Sequence, residues 1–270
     1  NLGISVKPEF MESEFTAVLN DPSKELEFKT KNLNMWVDAP TVWIPDEVIL
    51  ANNFGTRDED LLGKECYAGL DLASTDDITA LALFFPTLPR PVLRLFFWVP
   101  EAKIKQKADR VDYRLWVQQG FITVTEGDVV DTDYLSKDIE RIFHLYRVKN
   151  LTYDPWMATN GVIQHLEKVG YYNILDPIAQ TITYLSEPTK DLQKRLQRRE
   201  LDLMNNPVLR WMFRNVAIYT DPNMNIRLNK AKSTEKIDGC AASVNAIAGY
   251  ISKTASTREA YAGGREIKVI

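Results

Sequence analysis

The chain has only two cysteines, Cys66 and Cys240, and two histidines, His144 and His165. No CxxC spacing is present, so a zinc ribbon or a dithiol redox motif is excluded. Each cysteine lies in an apolar setting and reads as a small packing residue. Two histidines on separate expected helices are too few for a histidine-rich metal centre. No GxxxxGK[ST] run occurs: Gly63-Lys64 is followed by Glu65 and lacks the first glycine, so ATP hydrolysis is not expected. The longest apolar run, Ile78–Phe85 with Thr79 inside it, is far too short to span a membrane. The polar start NLGISVKPEFMESEF carries no signal-peptide core. Internal repeats and low-complexity tracts are also missing. A soluble intracellular protein without a membrane partner is the expectation. The net charge of −4 neither demands nor excludes nucleic acid, because acids that bind metal lower the total while one face stays basic.

What the chain does have is one unusual stretch, CYAGLDLASTDDITALALFF, from Cys66 to Phe85. Tyr67, Gly69, Asp71 and Ala73 alternate with Ala68, Leu70 and Leu72, the period of a strand. Asp71 places a carboxylate where a buried strand should be apolar, which is costly unless something pairs with it; a metal cation would. Ser74-Thr75-Asp76-Asp77 supplies turn chemistry, and Ile78–Phe85 resumes as a second strand. Two further acids stand in comparable places. Asp154 ends the run Leu151-Thr152-Tyr153 before Pro155, and Asp238 opens the apolar-periodic run Ile237–Ile251. Each has an ordinary reading too: a strand-end acid, a turn residue, and a helix N-terminal acid favoured by the macrodipole.

Residues 1–60 read as a linker or extension with a short helix over Glu9–Leu19 and aromatics Trp36 and Trp43 to dock. Residues 61–255 form the main domain. Cys66–Leu72, Ile78–Phe85 and Val92–Val99 make an antiparallel meander. The period then changes: helix Ala108–Gln119, strand Phe121–Thr125, and helix Tyr134–Tyr146 capped by Thr132 or Asp133. Strand Asn150–Asp154, helix Ala158–Val169 and strand Tyr171–Leu175 follow. Helix Pro188–Met204 has Thr189 as N-cap, and helix Val208–Arg214 comes next. A hairpin over Asn215–Thr220 and Ile226–Leu228 precedes the last helix, Lys236–Lys253. Residues 256–270 read as a mobile tail.

A meander followed by alternating helices and strands is the order of the ribonuclease H-like fold. That is an α/β architecture: a mixed sheet of antiparallel and parallel strands with helices on both faces. In it, the first strand, the fourth main strand and a late helix converge, which brings Asp71, Asp154 and Asp238 together. Clustered carboxylates repel, and divalent metal removes that penalty. Mg²⁺ accepts a few carboxylates with water and phosphate oxygens around it. Two ions roughly 3.5–4 Å apart can activate water and stabilise the leaving oxygen in phosphodiester cleavage.

LDLASTDDITALAL, TYDPW, NPVLRWMFRNV and KAKSTEKIDGCAASVNAIA together resemble the nuclease domain of the large terminase subunit of tailed bacteriophages, over roughly residues 63–252. The resemblance implies a Mg²⁺- or Mn²⁺-dependent endonuclease that cuts concatemeric double-stranded DNA during genome packaging in the bacterial host cytoplasm. It implies a portal protein and a small terminase subunit as partners. By motif it assigns Asp71, Asp154 and Asp238 to the metal site, with Asp77, Asp131 and Asp133 as neighbouring candidates. The packaging ATPase of that subunit is not represented by a motif here, so residues 1–60 would be the end of an ATPase domain missing from this chain.

Lys190, Lys194, Arg195, Arg198 and Arg199 fall on one expected helix and read as a phosphate-facing stripe or as a solvated basic face. Arg210 and Arg214 could extend it. Lys230, Lys232 and Lys236 precede Asp238; a lysine there, Lys232 or Lys236, could hold the scissile phosphate. Trp156 and Trp211 read as core residues before base-stacking ones. Rival readings are a transposase, integrase or junction resolvase of the same fold, and a catalytically silent DNA- or portal-docking module.

Overall fold

The computed structural model describes residues 7–20, 28–33, 42–72, 77–105, 113–157 and 161–263. Trp36, the acidic turn up to Asp76, the first residues of the helices expected from Ala108 and Ala158, and the tail from residue 264 lie outside them. Contacts divide the chain into residues 1–42 and residues 43–270. The first unit holds helix α1, Pro8–Asn20, and a π turn over Phe28–Asn32; the Phe15 and Phe28 rings meet at 6.0 Å.

The second unit opens with two short helices, α2 (Asp46–Leu50) and α3 (Asp58–Leu61). Strands β1 (Glu65–Asp71), β2 (Thr79–Phe85) and β3 (Val92–Pro100) follow. Then come α4 (Glu101–Lys105), α5 (Tyr113–Gln118) and β4 (Thr123–Thr125). Helix α6 (Thr132–Leu145), β5 (Arg147–Tyr153), α7 (Gly161–Leu166) and β6 (Leu175–Pro177) form the alternating part. Helices α8 (Ile182–Gln197) and α9 (Pro207–Asn215), the hairpin β7 (Ile218–Thr220) and β8 (Ile226–Leu228), and α10 (Asp238–Gly263) complete it.

The main sheet runs β4-β3-β2-β1-β5-β6. β1, β2 and β3 pair antiparallel, while β5 lies parallel to β1 and β6 parallel to β5. This is the expected ribonuclease H-like mixed sheet. Every residue of β2 is buried, because both sheet faces are covered. Ala80, Ala82 and Phe84 pack with Leu192 of α8, Met212 of α9 and Ile247 of α10; Leu81, Leu83 and Phe85 pack with Ile139 of α6 and Ile163 of α7. Each fully buried large side chain contributes about 1.5–3 kcal/mol. Trp43, Ile44 and Ile49 belong to the first of these cores.

Gly69 lets α10 lie against β1. A Cβ there would stand 2.1 Å from the Ala242 carbonyl oxygen and 2.2 Å from the Ala246 nitrogen. Asn245, also on α10, donates to the Leu70 carbonyl at 3.1 Å. The last helix is thereby seated on the strand that ends at Asp71.

Several expectations need correction. The last strand of the main sheet is Leu175–Pro177 rather than Tyr171–Leu175, whose residues up to Ile174 are in helical turns. Helix α8 starts at Ile182, not Pro188, and ends at Gln197, short of Met204. Leu185, Thr189, Leu192 and Leu196 make one buried stripe through Pro188, and its burial outweighs the roughly 3 kcal/mol that an interior proline costs. Thr189 is therefore no N-cap: it is buried, and its hydroxyl donates to the Leu185 carbonyl at 2.6 Å. Helix α6 is capped by Asp131, whose Oδ1 accepts from the Asp133 and Tyr134 nitrogens at 2.9 and 3.0 Å. Helix α10 runs ten residues beyond Lys253, so residues 256–263, expected in the tail, have helical backbone. Among the described residues, no helix is long and apolar enough to cross a membrane.

Candidate metal centre

Asp71 is the last residue of β1, and Asp154 follows the last residue of β5. Gly69 pairs with Thr152 across these parallel strands. Two residues further along each chain, the two acids leave the same edge of the sheet, at strand C-termini, where open α/β sheets bind ligands. Both line a cavity of about 340 Å³, with Gln180, Thr189, Arg227, Asn229, Lys230 and Asn245 among its other walls. The Asp154 carboxylate accepts from the Trp156 backbone nitrogen at 3.1 Å. This tight turn sends the Trp156 ring outward, 88% exposed. Trp211, by contrast, packs on Trp116 and Tyr113.

Asp238 begins α10 and reaches Asp71 through Lys230. The Lys230 ammonium donates to Asp71 Oδ2 at 2.6 Å and to Asp238 Oδ1 at 3.4 Å. The other oxygen, Asp238 Oδ2, is buried and accepts no hydrogen bond among the described residues. Burial, then the neighbouring Asp71 charge, push the Asp238 carboxyl up to about 7, with Lys230 pulling the other way. Burial works against the Lys230 charge, but Asp71 and Asp238 outweigh it and raise that pKa. Asp77 lies near Asp238 and is paired with Lys236.

Because Asp238 titrates near 7 when folded and near 3.8 otherwise, the native state binds the extra proton between those values. Its contribution to metal-free stability is full below about pH 4 and lost as pH rises through about 7. Urea unfolding from pH 4 to 8 should show this fall in the wild type and a shallower one in Asp238→Asn; parallel profiles would contradict it.

Among the described residues, no three Asp, Glu, His or Cys side chains already form a metal cage. The donor set nevertheless fits a hard divalent cation. Asp71, Asp154 and Asp238 offer only oxygen, and a buried carboxylate oxygen without a donor is costly as it stands.

The basic residues of α8 share its spacing as far as the helix cap. Helix α8 carries Lys190, Lys194 and Arg195, which line a second cavity together with Glu187 and Asp191. Arg195 donates to Asp191 at 2.6 Å. Arg198 caps the helix, its backbone nitrogen still donating to the Lys194 carbonyl at 3.0 Å, whereas Arg199 takes a left-handed backbone (φ 57°) and leaves the helical spacing. Arg210 is held by Asp46 through two bonds of 2.8 and 2.6 Å. Lys232 is exposed, and its backbone nitrogen is bound to Asn229 Oδ1 at 3.3 Å. Arg227 was not singled out in the sequence, and Lys230 was named as preceding Asp238 but not among the site residues. The KAK run next to Asp238 was the available signal for Lys230, but only the hairpin geometry decides which lysine turns inward. Both cysteines are buried and unbonded.

The family described as terminase large subunit, endonuclease domain, matches the chain over residues 1–253. The chain belongs to this family. Among similar proteins, protein YmfN of Escherichia coli strain K12 is 27% identical over 273 residues, taking in 92% of this chain and 57% of YmfN. The terminase large subunit of Enterobacteria phage HK97 is 26% identical over 245 residues, 86% of this chain and 46% of that protein. The crystal structure of the HK97 bacteriophage large terminase matches with a TM-score of 0.69 at 24% identity, over 92% of this chain and 51% of that one. That likeness concerns the fold. The chain spans about half the length of these relatives.

Proposed function

We propose that this chain is a divalent-metal-dependent endonuclease that hydrolyses double-stranded DNA, cutting concatemeric viral genomes during packaging in the cytoplasm of a bacterial host. The observation that carries the reading is that Asp71 lines one cavity with Asp154 and Lys230, while Lys230 also bonds Asp238. In this reading Asp71, Asp154 and Asp238 hold two Mg²⁺ or Mn²⁺ ions. When bound, such a pair activates water and neutralises charge on the phosphodiester. Asp71 shares a cavity with Asp154 and a lysine with Asp238, which supports giving it the central role. The rigid seat of α10 on β1 keeps Asp71 and Asp238 in register. Acids alone would repel a polyanion, so cations must position it. Lys190 and Lys194 lie on α8, the helix whose Thr189 lines the acid cavity. With Arg195, Arg198, Arg199, Lys232 and Lys236 they are the proposed backbone contacts. A portal protein and a small terminase subunit are the proposed partners.

The test is supercoiled plasmid incubated with Mg²⁺ or Mn²⁺, with and without EDTA. Nicking and linearisation that stop with EDTA are expected. Plasmid left intact by folded, DNA-bound protein in both ions would overturn the reading and leave a docking module.

A further inference from the structure

Lys230 is a cation already sitting among the acids. It lies on a 3₁₀ turn over Lys230–Lys232 that follows the β7–β8 hairpin. The turn is well anchored: Asn229 donates from its backbone to the Ala217 carbonyl at 2.8 Å, and Ser233 Oγ donates to the Asn229 carbonyl at 2.8 Å. The side chain is different. It is 53% exposed, whereas those of Asp71 and Asp238 are 14% and 13% exposed. A half-exposed lysine on a four-carbon stem is a point charge that can swing into solvent; the two carboxylates, on a strand end and a helix start, cannot.

The oxygens that Lys230 occupies, Asp71 Oδ2 and Asp238 Oδ1, belong to two of the acids that a hard divalent ion would take. The second nearby lysine, Lys236, is engaged with Asp77. Lys230 is thus the counter-ion that offsets repulsion between Asp71 and Asp238.

We infer that Lys230 is a positioning residue that competes with divalent metal: it holds Asp71 and Asp238 together while the site is metal-free and must swing out before an ion can bind between them. The inference rests on the metal-dependent reading above. Metal affinity is therefore set partly by a side chain that is not a ligand.

Calorimetric titration of the full chain with Mn²⁺ tests this, using wild type, Lys230→Met, Lys230→Gln and Lys230→Arg. Both neutral variants should bind Mn²⁺ roughly tenfold more tightly or better, and Arg should restore weak binding. In thermal melts without metal, the neutral variants should unfold below the wild type, and Mn²⁺ should close the gap. A lysine with only a structural role would lower stability without tightening metal binding. If wild type binds Mn²⁺ and the folded neutral variants bind no tighter, the competition is refuted while the metal reading survives. If no form binds Mn²⁺, the metal reading itself falls, and the inference with it.

Discussion

Asp71→Ala is expected to lower plasmid cleavage by roughly 10²–10⁴-fold, since metal stabilisation of the transition state is worth several kcal/mol and each 1.36 kcal/mol is tenfold. The protein should still fold. The substitution removes a partner of Lys230, but it also removes the negative charge that raises Asp238. These changes oppose each other at a site that lies at the strand's end, clear of the two buried cores. Cleavage rates and circular-dichroism melts together check this. A variant that melts like wild type and cuts at a wild-type rate would remove Asp71 from the mechanism.

Gly69→Ala should have the largest effect on stability. The added methyl would enter the backbone of α10, at 2.1 Å from the Ala242 carbonyl oxygen. Neither strand nor helix can rotate a side chain away to make room. Ordinary overpacking costs about 1–3 kcal/mol by shifting side chains. Here whole elements must separate, so a loss above about 3 kcal/mol is expected, against a typical total of about 5–15 kcal/mol. Cleavage should fall as well, because α10 carries Asp238. Urea denaturation gives the first quantity; a variant within about 1 kcal/mol of wild type would show that α10 is not seated as described.

The strand half of the fold was legible because its signals are local. Cys66–Leu72 alternates, Ile78–Phe85 is continuously apolar, and Pro86–Pro91 separates it from the third strand. The Leu135, Ile139, Ile142 and Phe143 stripe marked α6 by the same token. Helix α8 was misread because Pro188 resembles a helix start, and only the tertiary burial of Leu185 and Leu192 shows that the helix passes through it. The basic stripe is shortened for a related reason: α8 ends at Gln197 with Arg198 as its cap, and Arg199 turns left-handed out of the helical spacing.

At the site, the acids could be singled out because each stands where apolar pattern stops. Their neighbours could not. Lys230, Lys232 and Lys236 lie within seven residues, and nothing local says which turns inward. Lys230 reaches Asp71 across 159 positions of chain. Trp156 is the converse case. Composition argues for burial, yet the turn closed on Asp154 points it into solvent.

The most direct test of the central claim is Mn²⁺ binding to the wild-type chain and to Asp71→Ala, measured by calorimetry at one pH and salt. Saturable binding in the wild type, lost in the folded variant, is the predicted result. Equal binding in both, or none in either, would contradict the assignment of this acid cluster as the metal centre.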